Sequence, residues 1–574
     1  MAGVKPVPGA IRRLFEPFIQ GRNGMYSAVL LGVLFFVLYP VLLVFINSFQ
    51  VGGFGEPAVL GVGNWRDAFG DPRLRATLLN TVSLGLTYQA ISLAAGILLA
   101  WLIARTDLPG RNWLEFGFWV AFFLPSLPLT LSWILLMDSE RGLLNQLLAI
   151  IPMLKGFKFD IFTWWGIVWV HLATTSISIK VMLLTPAFRN MDGSLEEAAR
   201  TCGAGTWVTF RRVLIPIMAP AILMVMIMGL IHSLEAFEVE LILGAPAKIE
   251  VYSTLIYELV FQQPPQFGTA TALGSIVLLT MLPFIVFQQW VSMRGGHATL
   301  SGKFKSNPVS LGKWRWPIFY MVLAMVLVMT VVPMVMLLVG TAMQLFGFFE
   351  IADPWTLDNW RRVLGHSEFL RALKNTVVIG VSTAALAIAA FSVVAYICAR
   401  TRYAGRAWLD FMSWLTGTIP GIVMGLGIIW LFLGTPFLRP IYGTIFVLIM
   451  VTVLAQMTTG VQVFKSNMVQ IGNELEEAAW VFGAGWRYSF QKVVLPLIAP
   501  AVAVVGILAF ASSVKMTSHV ALLATTETRP LSILQLNYMA DGSYEAASVV
   551  GVITLVLTLG AAAVARYFGV GVRR

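Results

Sequence analysis

The sequence predicts an all-α membrane protein, with twelve transmembrane helices in two parallel six-helix repeats. Three observations predict it. The 574 residues are 58% hydrophobic and only 12% charged, whereas a soluble chain carries about a quarter charged residues. The apolar residues lie in long runs, such as MYSAVLLGVLFFVLYPVLLVFINSF from Met25. A run of about 18 or more spans a hydrocarbon core about 30 Å thick. The second half of the chain also repeats the first, residue type for residue type, over several stretches.

Backbone groups in lipid must be satisfied internally, so the apolar runs read as helices. A barrel would show alternating segments of about ten residues instead. The predicted spans are 25–49, 78–104, 113–137, 162–188, 217–244 and 268–293, then 315–343, 373–399, 408–434, 440–466, 497–523 and 544–568. The first run is too long for a signal peptide and no small-x-small cleavage site follows it, so it reads as a retained span. The preceding IRRLFEPFIQGRNG reads either as an amphipathic surface helix or as a disordered basic tail.

Orientation follows from basic residues in short loops, which stay in the cytoplasm. The segment between spans six and seven holds Arg294, Lys303, Lys305, Lys313 and Arg315 and no acid. The N-terminal tail has Lys5, Arg12, Arg13 and Arg22, and the chain ends Arg573-Arg574. Both termini are therefore expected in the cytoplasm. The net charge of +11 is a topology signal, and no nucleic-acid partner is expected. Cys202 and Cys398 have no metal-like spacing and are expected as free thiols.

The repeat sets Asn80 on Asn375, Ala104-Arg105-Thr106 on Ala399-Arg400-Thr401, and Trp113, Phe116, Trp119 and Pro125 on Trp408, Phe411, Trp414 and Pro420. The spacing is 295 there and falls to 280 where Glu197 meets Glu477. The first half thus holds 15 extra residues, assigned to the outside loop MDSERGLLNQLLAIIPMLKGFKFD. The two halves, 1–300 and 301–574, share one orientation, and a pathway is expected between them.

The most telling repeat is polar. Residues 195–221 read LEEAARTCGAGTWVTFRRVLIPIMAPA, and 475–501 read LEEAAWVFGAGWRYSFQKVVLPLIAPA. Each lies between spans four and five, on the cytoplasmic side. Ser194 and Glu197 are spaced as a capping box, and Asn473 and Glu476 have the same spacing. Gly203 and Gly205, and Gly483 and Gly485, are expected to end the first short helix. Pro216 and Pro496 suit the start of the next span.

Glu-Ala-Ala, three residues, Gly, nine residues, a β-branched apolar residue, any residue, an apolar residue and Pro resembles the EAA loop of ABC importer permeases. The first copy supplies Glu197, Ala198, Ala199, Gly203, Val213, Ile215 and Pro216; the second supplies Glu477, Ala478, Ala479, Gly483, Val493, Leu495 and Pro496. Two copies in corresponding loops make the match specific. The resemblance implies a type I importer permease fold in a bacterial inner membrane. It implies two copies of a cytoplasmic ABC ATPase, one docked on each loop, with ATP and Mg on that partner, and an extracytoplasmic solute-binding protein. The whole chain resembles fused permeases of ferric iron uptake, and thiamine, phosphonate and polyamine relatives less closely. Helix capping alone would also put acids at Glu197 and Glu477.

The chain itself has no G-x-x-x-x-G-K-[ST] motif. No nucleophile triad, metal cluster or catalytic carboxylate pair is recognisable, so no catalytic residue, bound cofactor or metal is expected. Charges inside spans point to function. His232, Glu235 and Glu238 recur every three residues in span five, and Lys515 and His519 lie in span eleven. They either line the outer gate of the pathway or mark the wet ends of two helices. Pro125 and Pro420 bend spans three and nine. His171 and Lys180, and Asn80 and Asn375, read as partners of neighbouring helices rather than ligands. A secondary transporter shares the twelve-span plan, and RTDLPGR resembles the charged short loop of such carriers. The second copy, RTRYAGR, lacks the acid, and the doubled loops favour the ATP-driven class. A membrane scaffold without transport is disfavoured by the charges in spans five and eleven.

Overall fold

Long apolar runs with internally bonded backbones become helices, and helices make up most of the computed structural model. It describes residues 22–51, 59–154, 156–294, 308–472 and 474–567. The basic tail IRRLFEPFIQ, the charges Lys303 and Lys305, Asn473 and the final two arginines lie outside the described residues.

Among the described residues, eight helices are long and apolar enough to cross a membrane: Asn23–Asn47, Arg73–Arg105, Trp164–Arg189, Thr206–Leu234, Gly312–Ala342, Ser367–Arg400, Ile445–Val469 and Tyr544–Val564. Three bent pairs raise the number to eleven if each is one span. The predicted segment 268–293 is the helix Phe267–Arg294, of which Phe267–Pro283 is a shorter apolar helix. The expected twelve thus stand as eight to eleven candidate spans.

The bent pairs differ from the unbroken spans expected. Arg111–Phe123 and Ser126–Met137 meet at 100°, and Arg406–Thr416 and Gly421–Gly434 at 115°. Pro125 and Pro420 stand in extended conformation immediately before the inner helices. Proline cannot donate a backbone hydrogen bond and disfavours helix in the residue before it, so each run breaks there. The third pair, Trp486–Leu497 and Ala499–Lys515, bends by 79°. The predicted span 497–523 ends early, at Lys515. Span five ends at Leu234 rather than 244, with a separate turn of π-helix over Glu240–Gly244.

The repeat is visible in matched polar contacts. Asn64 Nδ2 donates to the carbonyls of Ser48 (3.1 Å) and Gln50 (2.7 Å); Asn359 Nδ2 donates to Thr341 (3.1 Å) and Met343 (2.7 Å). Thr81 Oγ1 accepts from Tyr252 N, and Thr376 Oγ1 from Leu531 N. Asn80 reaches the carbonyl of Glu250, and Asn375 those of Glu527 and Arg529. These asparagines bind loops after span five rather than a facing helix.

The halves exchange their first helices. Residues 39–47 pack on Gly421–Gly434 of the other half as well as on Phe267–Arg294 of their own, and Val331–Ala342 packs on Ser126–Met137 of the other half as well as on Tyr544–Tyr567 of its own. Small residues permit the approach, as membrane helix packing requires. A Cβ on Gly427 would stand 2.9 Å from the Pro40 carbonyl oxygen, and one on Gly340 2.8 Å from Ser548 Oγ. The linker returns to the first half, where Val309 N donates to Arg105 O and Asp107 N to Val309 O. The acid of RTDLPGR is occupied locally, because Asp107 Oδ1 accepts from Leu311 N.

Candidate functional site

Two constellations emerge, one at the repeated loops and one between the halves. In the first loop a short helix covers Ser194–Thr201. No side-chain capping box forms: Asp192 Oδ1 accepts from Ser194 N at 2.9 Å, and Ser194 is already helical. Gly203 closes the helix at φ +80° and Gly483 closes the second copy at φ +81°, as expected. Gly205 and Gly485 are extended and begin the next helix instead. Pro216 does not start a span; it sits within the continuous helix Thr206–Leu234, just after a π-turn at Phe210–Leu214 that accommodates the missing donor.

The acid that anchors each loop is one residue before the expected one. Arg105 Nε donates to Glu196 Oε1 at 2.9 Å, and Nη1 to the Met191 carbonyl at 3.3 Å. In the second half Arg400 Nη2 donates to the carbonyls of Met468 and Ile471, both at 2.6 Å. Its Nε lies 3.5 Å from Glu476 Oε1, and the Tyr396 hydroxyl donates to Glu476 Oε2 at 2.8 Å. Both ion pairs are buried. Glu197, Ala198, Glu477 and Ala478 face outward, while Ala199 and Ala479 are half-buried. The repeated Ala-Arg-Thr triplet, twice followed downstream by Glu-Glu, was the signal for these pairs. Both loops lie on the side where a half begins: Tyr26 stacks edge-on to Trp486 at 5.9 Å, and Val309 joins Arg105.

Between the halves lies a cavity of about 330 Å³. The structure brings His232, Glu235, Glu238, Lys515 and His519 to its wall. The first three do not share a helix face, since the helix stops at Leu234; they converge because the chain turns around the cavity. Pro125 and Pro420 do not line it, but set its edges. Ser126, next to Pro125, donates to Glu238. Gly421, next to Pro420, is so close to His519 that a Cβ would lie 2.4 Å from Nδ1.

Lining residues outside the expected pathway groups include Gln89, His171, Lys180 and Glu240. His171 Nε2 lies 2.6 Å from Glu240 Oε1, and its ring stacks on Tyr88 with centroids 4.3 Å apart. Lys180 Nζ donates to Gln89 Oε1 at 2.5 Å, and Gln89 Nε2 donates to the Gly229 carbonyl at 2.7 Å. Gln89 sits roughly 24 Å along the Arg73–Arg105 helix at 1.5 Å per residue. The cavity therefore reaches mid-helix depth, deeper than the outer end expected for Glu235. Lys515 crosses to the other half, donating to the Phe122 carbonyl at 2.8 Å with its charge 4.7 Å from the Phe122 ring centre. His232 Nδ1 is 2.8 Å from Glu235 Oε2. Every charge in the wall thus has a partner, as a low-dielectric setting demands. Among the described residues no three His, Cys, Asp or Glu side chains form a metal-holding group.

Comparison with known proteins agrees with this architecture. The family model described as "Binding-protein-dependent transport system inner membrane component" matches twice, over residues 92–295 and 391–574. The ferric transport system permease protein FbpB of Actinobacillus pleuropneumoniae is 25% identical, covering 93% of this chain and 76% of its own length. The Fe(3+)-transport system permease protein FbpB 2 of Haemophilus influenzae is 24% identical, covering 83% of this chain and 87% of its own. The sulfate transport system permease protein CysT of Escherichia coli is 34% identical but covers only 33% of this chain. With the family matched once in each half, this chain belongs to the inner-membrane components of binding-protein-dependent transport systems, as a fused two-half permease of an ABC importer.

Proposed function

We propose that the chain carries ferric iron across the bacterial inner membrane through the cavity between its halves, with both termini in the cytoplasm. Two copies of a cytoplasmic ABC ATPase dock on the loops around Glu197, Ala198, Ala199 and Gly203 and around Glu477, Ala478, Ala479 and Gly483. ATP and Mg belong to that partner. An extracytoplasmic solute-binding protein delivers the cargo. The observation that carries this reading is the construction of the loops. In each, one acid is locked inward by the arginine that ends the second span of its half, while the Glu-Ala face is exposed. Such a knuckle is rigidly tied to the membrane helices and open to a partner. Iron is favoured over other cargo because relatives named for ferric transport align across most of the chain, whereas the sulfate and molybdenum relatives align over about a third of it.

In the transport cycle, ATP binding draws the docked subunits together. The Arg105–Glu196 and Arg400–Glu476 pairs pass that displacement to the helices that bound the cavity, and the halves alternate access. His232, Glu235 and Glu238 face Lys515 and His519 across the cavity as gate residues, and Pro125 and Pro420 supply the breaks about which the broken spans move. The test is reconstitution of the chain with its ATPase in lipid. Iron-loaded binding protein should stimulate ATP hydrolysis and iron uptake, and Glu197→Lys with Glu477→Lys should abolish ATPase co-purification. Uptake driven by an ion gradient without any ATPase would overturn the reading.

A further inference from the structure

We propose that the chain holds one substrate-binding site, built chiefly by the first half, closed by Lys515 and His519 of the second and set off the pseudo-twofold axis, and that it takes a small multivalent cation still carrying part of its ligand shell. This rests on the cavity being the pathway, as above, and adds where in it the cargo is held.

The repeat makes the comparison residue by residue. Spacing is 295 in span two, as Thr81 and Thr376 show by accepting equivalent bonds. Spacing is 280 through residue 241, since Leu241 N donates to Phe237 O just as Ala521 N donates to Thr517 O. A π-turn at Leu172–Ser176 takes up one extra residue in span four of the first half, so the spacing before it is 281.

On this register Glu235 corresponds to Lys515, but the rest of the first half's charged and aromatic wall (Tyr88, Gln89, His171, Lys180 and Glu240) has apolar or small counterparts in the second. The stacked pair Tyr88 and His171 corresponds to Thr383 and Thr452, which bond only to each other across 2.7 Å and to their own helix. Gln89 and Lys180 correspond to Ala384 and Gly460. Glu240 corresponds to Val520. The space itself is exchanged. In the first half Gly96 leaves room for Lys180, whose Cβ would lie 2.5 Å from an added methyl; in the second Phe391 stands in the place of Gly96 and presses on Gly460, at 2.3 Å by the same measure. Phe391 thereby plugs the second half. The pocket around Phe391 and Gly460 measures about 10 Å³, against about 330 Å³ for the cavity that Lys180 lines. Duplication has left one open polar chamber and one filled by an aromatic ring.

The chemistry of the chamber selects its ligand. Three carboxyl groups (Glu235, Glu238, Glu240) and two lysines (Lys180, Lys515) line it, so acids outnumber lysines. Glu240 is 1% exposed, and its Oε2 has no hydrogen-bond partner among the described residues although the residue lines the cavity. A buried acceptor left open is a place for a donor or cation. The cavity volume lies at the low end of ligand pockets, about 300–1,000 Å³, which suits an ion with a few retained ligands.

The test uses the full complex of chain, ATPase and binding protein in proteoliposomes, with radiolabelled ferric iron delivered by the binding protein as probe. Glu240→Gln and Lys180→Met should each lower uptake about tenfold or more, with co-purification of the ATPase unchanged. The double change Gly96→Phe with Lys180→Gly transplants the plug and should abolish uptake. The counterparts Thr383→Val and Thr452→Val should leave uptake within about twofold. Equal losses from both sets, or none from the first-half set, would overturn the single-site proposal while iron-stimulated hydrolysis by the unaltered complex upholds the pathway reading. An unaltered complex that neither hydrolyses ATP in response to loaded binding protein nor takes up iron overturns both.

Discussion

Arg105 and Glu196 show how much a single ion pair can hold. Both side chains are nearly inaccessible, at 7% and 2%, so the pair is sustained by mutual attraction and by the Met191 carbonyl. Removing one partner of a buried pair leaves an uncompensated charge and costs about 3–5 kcal/mol, whereas removing both costs much less. Arg105→Ala should therefore lower the thermal transition of the purified complex sharply, and adding Glu196→Ala should restore much of it. A double variant no more stable than Arg105→Ala alone would show that the two residues do not act as a pair. The sequence carried half of this. The triplet Ala-Arg-Thr is legible as a repeat, but which of two adjacent glutamates turns inward depends on the rotation of a short helix. Asp192 accepts from Ser194 N at the start of the first copy, whereas the second copy has Gly472 there and still turns the same acid inward. The same holds for the cavity. His232, Glu235, Glu238, Lys515 and His519 were conspicuous because charge in an apolar run is conspicuous. Gln89 and Tyr88, by contrast, are ordinary residues in a helix until packing brings Lys180 and His171 against them.

Helices were the most legible elements and their interruptions the least. Apolar runs fix where a helix can lie, but not whether it passes straight through. Pro125 and Pro420 marked the breaks, yet the bends of 100° and 115° need the exchanged first helices to fill the space on their far side. The early ends at Leu234 and Lys515 are set by packing that continues in non-helical form around the cavity, where Ser253 and Ser532 satisfy the carbonyls of Ala236 and Met516. The glycine turns, in contrast, could be read directly and support a sharp prediction. Gly203 and Gly483 adopt left-handed backbone, with open space around each. A methyl there meets no neighbour, so the whole penalty is conformational, about 1–2 kcal/mol. Gly203→Ala and Gly483→Ala should each weaken ATPase binding by roughly tenfold, as the short helix is re-aimed. Gly205→Ala and Gly485→Ala, at φ −68° and −71°, should bind as the unaltered chain does. Titration of the ATPase onto the permease in nanodiscs measures both, and equal effects at all four positions would rule out the backbone explanation.

At the scale of the whole molecule, duplication was written plainly in the sequence, but the exchange of first helices was not. Periodicity and spacing say that two halves exist; they do not say which half a helix packs against. The exchange makes each half incomplete. Residues 39–47 seat on Gly421–Gly434 of the other half, with Val44 near Val423 and the Pro40 carbonyl against Gly427. Val331–Ala342 seats on Ser126–Met137 in return. Lipid gives no hydrophobic drive for helices to associate, so close backbone approach and van der Waals contact must hold these seams. The covalent link between halves is then dispensable, and the seams are not. Co-expressed as separate chains, 1–300 and 301–574 should co-purify through a tag on either one and retain ATPase-coupled uptake. Either half expressed alone should fail to accumulate in the membrane, because its broken span lacks the other half's first helix and its own first helix loses one of its two seats. Gly427→Leu should separate the two-chain form, since the Pro40 carbonyl leaves no room for a side chain, while lowering yield only modestly in the fused chain, where the linker keeps the halves at high effective concentration. A residue 1–300 fragment that purifies as a stable monomer would mean that each six-helix half is complete in itself and that the exchanged helices are not what joins them.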